Sequence, residues 1–392
     1  GTSKSGMILD GVFPSQIGQP DVLPTKLTWE TSTTLDLGVD LNLFKNRFTF
    51  VFDWYSRQTT DMFTPLQPLP RTFGATVPKG NNADLETKGW ELTLGWADKI
   101  NTSKPIGYNL RFVLSDQSSY ITKFNNPTMS LGGDGYYKGM RLGEIWGYTT
   151  EGLFQNIEDI RSHANQSYIR TSQGNNYLPG DIKFFDRNGD GVINDGKNTV
   201  TDPGDRSIIG NDQARYTYGV NLGLTWNNFS FDAFVQGVGK RDWWPSTEAG
   251  YFWGQYNRPY GFLPQHIIGN YWTPDNPDAY FPRYRGYLAQ NTNGTLRNTQ
   301  TRYLQDASYV RLKNVTIAYN LPKAWLAKAS ISGARVFVNG QNLWTYSPMY
   351  KITKNFDPEV IEKADPDINV NNGDGYRYPM LKNFTFGIDI TL

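Results

Sequence analysis

The residues best suited to chemistry lie in the segment DRNGDGVIND. Asp186, Asn188 and Asp190 set side-chain oxygens at positions 1, 3 and 5 of a loop of the EF-hand kind; Gly191 at position 6 permits the sharp turn, the Val192 carbonyl falls at position 7 and Asn194 at position 9. A hard cation such as Ca²⁺ needs such a cluster of oxygens, so the spacing allows a calcium loop. Lys197 stands at position 12 in place of the usual bidentate Glu, and Asp195 is the nearest carboxylate able to serve instead. The same residues also spell an Asn/Asp/Gly turn with no metal, and the sequence weighs the two readings evenly. A second concentration is aromatic: Trp243, Trp244, Tyr251, Trp253, Tyr256, Tyr260 and Trp272. Flat rings stack on sugars, but they also pack loops against one another or against a partner, and an interaction surface or loop core is favoured over a defined sugar site. Enzyme signatures are lacking. The two histidines, His163 and His266, are not in HExxH spacing, and there is no GxSxG, P-loop or strand-borne GxGxxG, so no catalytic residue is assigned and no cofactor is expected beyond the candidate calcium.

The elements that must position these loops are strands. In LDLGVDLNLFKNRFTFVFDW, Leu35, Leu37, Val39, Leu41 and Leu43 alternate with polar residues, a tight turn follows at Phe44–Arg47, and Phe48, Phe50, Phe52 and Trp54 return on one face. Period two recurs at Trp90–Trp96, Tyr108–Leu114, Tyr218–Trp226, Phe229–Val235, 307–320, 334–344 and 383–392, about nine strands in all. A short helical stretch, KAWLAKA, begins after Pro322. Residues 1 to 29, with Pro14, Pro20 and Pro24, and 59 to 86 read as loops, and two very long excursions cover 121–214 and 239–305. Connections alternate: short at Lys45, Ser103, Asn227 and Lys323, long near Pro68, Asp181, Trp253 and Asp365. Tight turns at one rim and long loops at the other are the build of an outer-membrane barrel, with the short turns periplasmic. On that assignment Leu392 is periplasmic too. Aromatics near strand ends (Trp29, Phe44, Trp54, Trp90, Trp96, Trp226, Phe229) suit an interfacial girdle.

Composition agrees. Aromatics make 15% of the 392 residues and charges only 19%, favouring strands over helices; a net charge of +1 gives no reason to expect nucleic acid, and the lack of Cys removes disulfides and thiolate sites. No apolar run approaches the roughly 18 to 20 residues of a spanning helix, which leaves a barrel open. The competing fold is a soluble β-sandwich, whose strands alternate as well. Barrels of this kind have even strand numbers, so about nine strands imply the C-terminal part of a larger barrel.

The chain resembles the C-terminal part of a SusC-like TonB-dependent transporter. The resemblance is carried in order by LTWETSTTLDLGVDL, DWYSRQTTDMF, KGWELTL, GDIKFFDRNGDGVIND with DRSIIGN, YTYGVNL, ASYVRLKNVTIAYNLP, VFVNGQNLW and FTFGIDITL. It implies an all-β transmembrane antiparallel β-barrel of about 22 strands, of which residues 1–392 are one C-terminal portion, the N-terminal plug, TonB-box segment and first strands lying outside this chain. It also implies the outer membrane of a Gram-negative cell, a SusD-like surface lipoprotein as partner, the TonB complex as energy source, and an oligosaccharide or peptide as cargo. Leu392 departs from the aromatic last residue usual in the family. GTSKSGMILDG resembles neither a signal peptide nor a natural start. A plug-less passive porin, or a secreted glycan-binding sandwich, are the alternative functions.

Overall fold

The structure is a computed structural model and describes residues 2–4, 8, 10–13, 15–17, 27–66, 78–132, 135–171, 176–327, 331–361 and 377–391. The expectations placed on Pro14, Pro20, Pro24, Pro68, Asp365 and Leu392 lie outside the described residues.

Nine strands form one antiparallel sheet: β1 Thr31–Leu43, β2 Phe48–Pro65, β3 Lys79–Ile100, β4 Ile106–Phe124, β5 Arg215–Trp226, β6 Phe229–Lys240, β7 Tyr309–Asn320, β8 Gly333–Tyr346 and β9 Asn383–Thr391. Each pairs with its sequence neighbours, and the order across the sheet is the order along the chain. The sheet does not close on itself among the described residues. The expected short helix after Pro322 is a single turn, Lys323–Leu326.

The register converts local alternation into a surface. One row of paired residues runs Leu43, Phe48, Trp96, Leu110, Leu222, Ala233, Val315, Gly340, Phe384 across all nine strands. It is apolar at every position. The next row, on the opposite face, runs Asn42, Thr49, Gly95, Arg111, Asn221, Phe234, Asn314, Gln341, Asn383 and is polar at all but two places. Because side chains alternate with a period of two, a slip of one residue in any pair would interchange the faces. The apolar face is open: Leu35, Leu37, Val39, Leu41 and Leu43 are 43 to 61% exposed.

Aromatic rings edge this stripe. At the short-turn end Phe48 and Trp96 lie 6.2 Å apart, Trp226 and Phe229 stack at 6.5 Å, and Phe229 meets Tyr319 at 4.6 Å. At the other end Trp54 pairs with both Leu37 and Trp90. The stripe stops there at Asp116, which Arg215 grips with two nitrogens. The tight turn holds Phe44, Lys45 and Asn46 at φ of 54, 61 and 65°, a left-handed run that non-glycine residues resist. Arg47 offsets this by donating Nε to the Phe44 carbonyl at 3.0 Å and pairing with Asp98 on β3 at 2.9 Å.

One expectation is corrected. Residues 59 to 86 are not simply a loop, because β2 continues to Pro65 and β3 starts at Lys79. Beyond the apolar stripe the extension has no single apolar face, since Asn82 and Ala83 are both buried and Leu85 packs against the cluster of Ile121, Tyr137 and Met140, so alternation fades from the sequence while the backbone ladder continues, interrupted by irregularities between Thr59 and Phe63.

Val39→Arg puts a charge in the middle of the open stripe and should cost roughly 2 to 4 kcal/mol of barrel stability in a bilayer, whereas Asp40→Arg on the polar face should be tolerated far better. Denaturant unfolding in lipid vesicles measures both; equal costs would contradict the assignment of faces.

Candidate functional site

Three connections from the long-loop edge, 125–214, 241–308 and 347–361, fold together into a cap. Short ribbons frame it: Glu144–Tyr148 pairs with Arg206–Asn211, Thr150–Leu153 with Ile182–Phe184, and Asp242–Trp243 with Gln305–Asp306. Its core is largely aromatic, with Tyr148, Phe184, Trp253, Tyr256, Phe281 and Tyr303 fully buried. Trp253 meets Tyr303 at 5.2 Å edge-on, and Tyr256 stacks on Phe281 at 5.8 Å. Tyr256 Oη donates to the Pro282 carbonyl at 2.7 Å and Trp253 Nε1 to that of Ser246 at 2.9 Å, while the buried Trp243 Nε1 has no hydrogen-bond partner among the described residues.

This placement sorts the aromatic candidates. Trp243, Trp253 and Tyr256 are enclosed, with no face free for a ligand. Trp244 is half-buried, 6.0 Å from Trp253. Tyr251 is 47% exposed and leans on Phe262 at 4.8 Å. The two histidines serve the backbone. His163 Nε2 donates to the Phe184 carbonyl at 2.8 Å, and His266 Nε2 to that of Phe252 at 3.0 Å. Burial among Phe252 and Phe281 holds His266 below the usual imidazole range.

The Asp186 loop keeps Asp186, Asn188, Asp190, Val192 and Asn194 in one turn, whose oxygens accept from its own backbone. Asp186 accepts from Gly189 N at 2.8 Å and Gly191 N at 2.9 Å, Asp190 from Val192 N at 2.8 Å, and Asn194 from Gly196 N at 2.6 Å; the Val192 carbonyl faces the Asn194 amide at 3.4 Å. Asp195 is turned elsewhere. It accepts from Tyr148 and Tyr168 and pairs with Arg206 at 3.2 Å. Asp195 therefore does not join the other oxygens of the loop, and among the described residues no three His, Cys, Asp or Glu side chains converge as a metal set. The carboxylate that organises the loop is one the spacing did not single out: Asp205, fully buried, accepts from Arg187 N and Asn194 N, both at 2.8 Å.

The cap is fastened to the polar face of the sheet by charge. Arg311 on β7 is 2% exposed and donates to Asp357 and Glu359 at 2.5 Å each, to Thr345 Oγ1 at 2.7 Å, while Lys313 adds a second pair to Glu359 at 2.8 Å. Asp357 also accepts from Met380 N at 2.9 Å, tying the approach to β9 to the same knot. Within the cap Arg285 reaches Asp181 at 2.7 Å. A cavity of about 630 Å³ opens between Trp146, Tyr168, Arg170, Arg206, Arg297 and Asn298.

Arg311→Leu leaves Asp357 and Glu359 buried without their cation and should cost about 3 to 5 kcal/mol, released as opening of segment 347–361. Limited proteolysis of the folded protein reads this directly. Because the fold holds His266 below the ordinary value of about 6.5 at which the unfolded chain protonates, its contribution is complete above that pH and lost as pH falls toward the lower folded value. The protection factors of amides around Phe252, each exchange rate taken relative to its intrinsic rate at that pH, should fall between pH 7.5 and 5.5, by less in His266→Gln.

The architecture has known counterparts. The family described as TonB dependent receptor-like, beta-barrel matches residues 8–180. TonB-dependent receptor P3 of Formosa agariphila is 29% identical over 384 residues, 94% of this chain and 35% of that protein. TonB-dependent receptor SusC of Bacteroides thetaiotaomicron is 24% identical over 382 residues, 95% of this chain and 33% of that one. The chain thus spans about a third of the length of the relatives it matches. Among solved structures, the RagAB peptide transporter superposes with a TM-score of 0.67 at 20% identity, covering 99% of this chain and 38% of that one, and the "open-open" state of the RagAB peptide importer gives 0.68. The nine-stranded sheet thus has the fold of part of such a barrel, and the chain is similar to TonB-dependent receptor β-barrels, SusC included.

Proposed function

We propose that this chain is the C-terminal part of the barrel of an outer-membrane importer, one that takes up an oligosaccharide or a peptide with a SusD-like surface lipoprotein and is driven through TonB by a plug encoded with the missing part of the barrel. The observation that carries the proposal is the nine-strand apolar row backed by a polar row. A sheet with an open apolar face suits lipid on one side and water or a plug on the other. The folded cap, fastened to the polar face at Arg311, supports an importer over an open porin: a pore for free diffusion has no need of a structured cover on its mouth. The chain acts in transport and not in catalysis.

Uptake of labelled cargo by cells carrying the complete gene should stop when TonB is deleted or the proton gradient is dissipated, and the protein should fractionate with the outer membrane. Uptake that persists without TonB would replace the importer with a passive porin.

A further inference from the structure

We propose that the cavity in the cap is a recognition pocket for a carboxylate carried by the cargo, with Arg170 and Arg297 as the groups that engage it. The proposal rests on the import reading and adds the chemistry of the cargo. At about 630 Å³ the cavity lies within the size range of small-molecule pockets, and three arginines but no carboxylate line it. Arg206 is already answered: it pairs with Asp195 at 3.2 Å and donates to Asn198 Oδ1 at 2.6 Å. Arg170 and Arg297 are not. Neither has an ion pair among the described residues, and Arg297 gives a single hydrogen bond, from Nη1 to the Gln290 carbonyl at 3.0 Å, leaving most of its fork available. The chain as a whole is nearly neutral, at +1, so this excess of positive charge is local to the pocket.

The backbone beneath the two arginines is held firmly. Arg170 N donates to the Asn293 carbonyl at 2.8 Å, Thr295 N returns to the Arg170 carbonyl at 3.1 Å, and Asn298 Nδ2 ties to Asn293 Oδ1 at 3.1 Å. Segments 168–170 and 293–298 are turns joined by an isolated bridge between Arg170 and Gly294, so the two arginines stand on tied backbone. Tyr168 is 45% exposed, yet its hydroxyl is anchored to Asp195 at 3.0 Å, which fixes an aromatic face beside the charges. A planar guanidinium fork matches a carboxylate, because the two geometries pair bidentately. The carboxylate can come from an acidic peptide or from a uronic acid.

Calorimetry on the complete transporter in detergent distinguishes these sources. The probes are triglutamate and trigalacturonate, with triglutamine and maltotriose as neutral counterparts. At least one acidic probe should bind about tenfold or more tightly than its neutral counterpart, with the preference shrinking as salt rises. Arg170→Gln with Arg297→Gln should abolish the preference, while Lys at both positions should keep part of it; heat-modifiable gel mobility confirms that each variant folds. Failure of both acidic probes to bind, equal binding of acidic and neutral probes, or a preference unchanged in the double Gln variant would overturn the proposal. These results are separate from transport. Loss of acidic preference with TonB-dependent uptake of other cargo intact removes the pocket alone, and uptake independent of TonB removes the import reading alone.

Discussion

A strand in hydrocarbon has no water to satisfy its amides, so every backbone N–H and C=O must be met by the neighbouring strand. The rest of this structure depends on that constraint. It dictates a meander in which each strand pairs with the next, short turns that waste no residues at one rim, and a register in which one face is apolar from Leu43 to Phe384. Among the described residues the outer edges of β1 and β9 have no partner strand.

The same constraint ends where the lipid ends. Past Trp54 and Trp90 the strands keep their ladder but lose their apolar stripe, and Asp116 with Arg215 marks the change. Above that level the chain is in water and must bury apolar surface in the ordinary way. It does so with rings: the cap is a small aromatic core on top of a wall, closed by Trp253, Tyr256, Phe281 and Tyr303. The charged knot at Arg311 joins these two regimes. Each nitrogen of the buried guanidinium has an acceptor, two carboxylates and a hydroxyl, and breaking the knot leaves uncompensated charge, which makes it a fastening with a definite geometry.

The candidate sites look different once folded. The aromatic run 243–256 was legible as a cluster, but which rings face outward was not, because burial of Trp253 depends on Tyr303 and burial of Trp243 on Phe356. Asp195 seemed available to the calcium-type loop by proximity in sequence. Its partners Tyr148 and Tyr168 lie 47 and 27 residues away, and they draw it to the cavity side. Asp205 was hidden for the same reason: its role is to accept N–H groups from a loop about a dozen residues earlier.

By itself the sequence determined the nine strands, their turns, the sidedness of the wall and the alternation of short and long connections. All of these follow from a period of two and from turn chemistry, which act between near neighbours. The tertiary structure alone decided how far β2 and β3 run past the membrane, which rings form the cap core, that Arg311 holds Asp357 and Glu359 across separations of 46 and 48 residues, and that Arg170 and Arg297 meet at one cavity. Such contacts have no local signature. They exist because hydrogen bonding and apolar burial bring distant segments together, and the residues involved carry no pattern until they do.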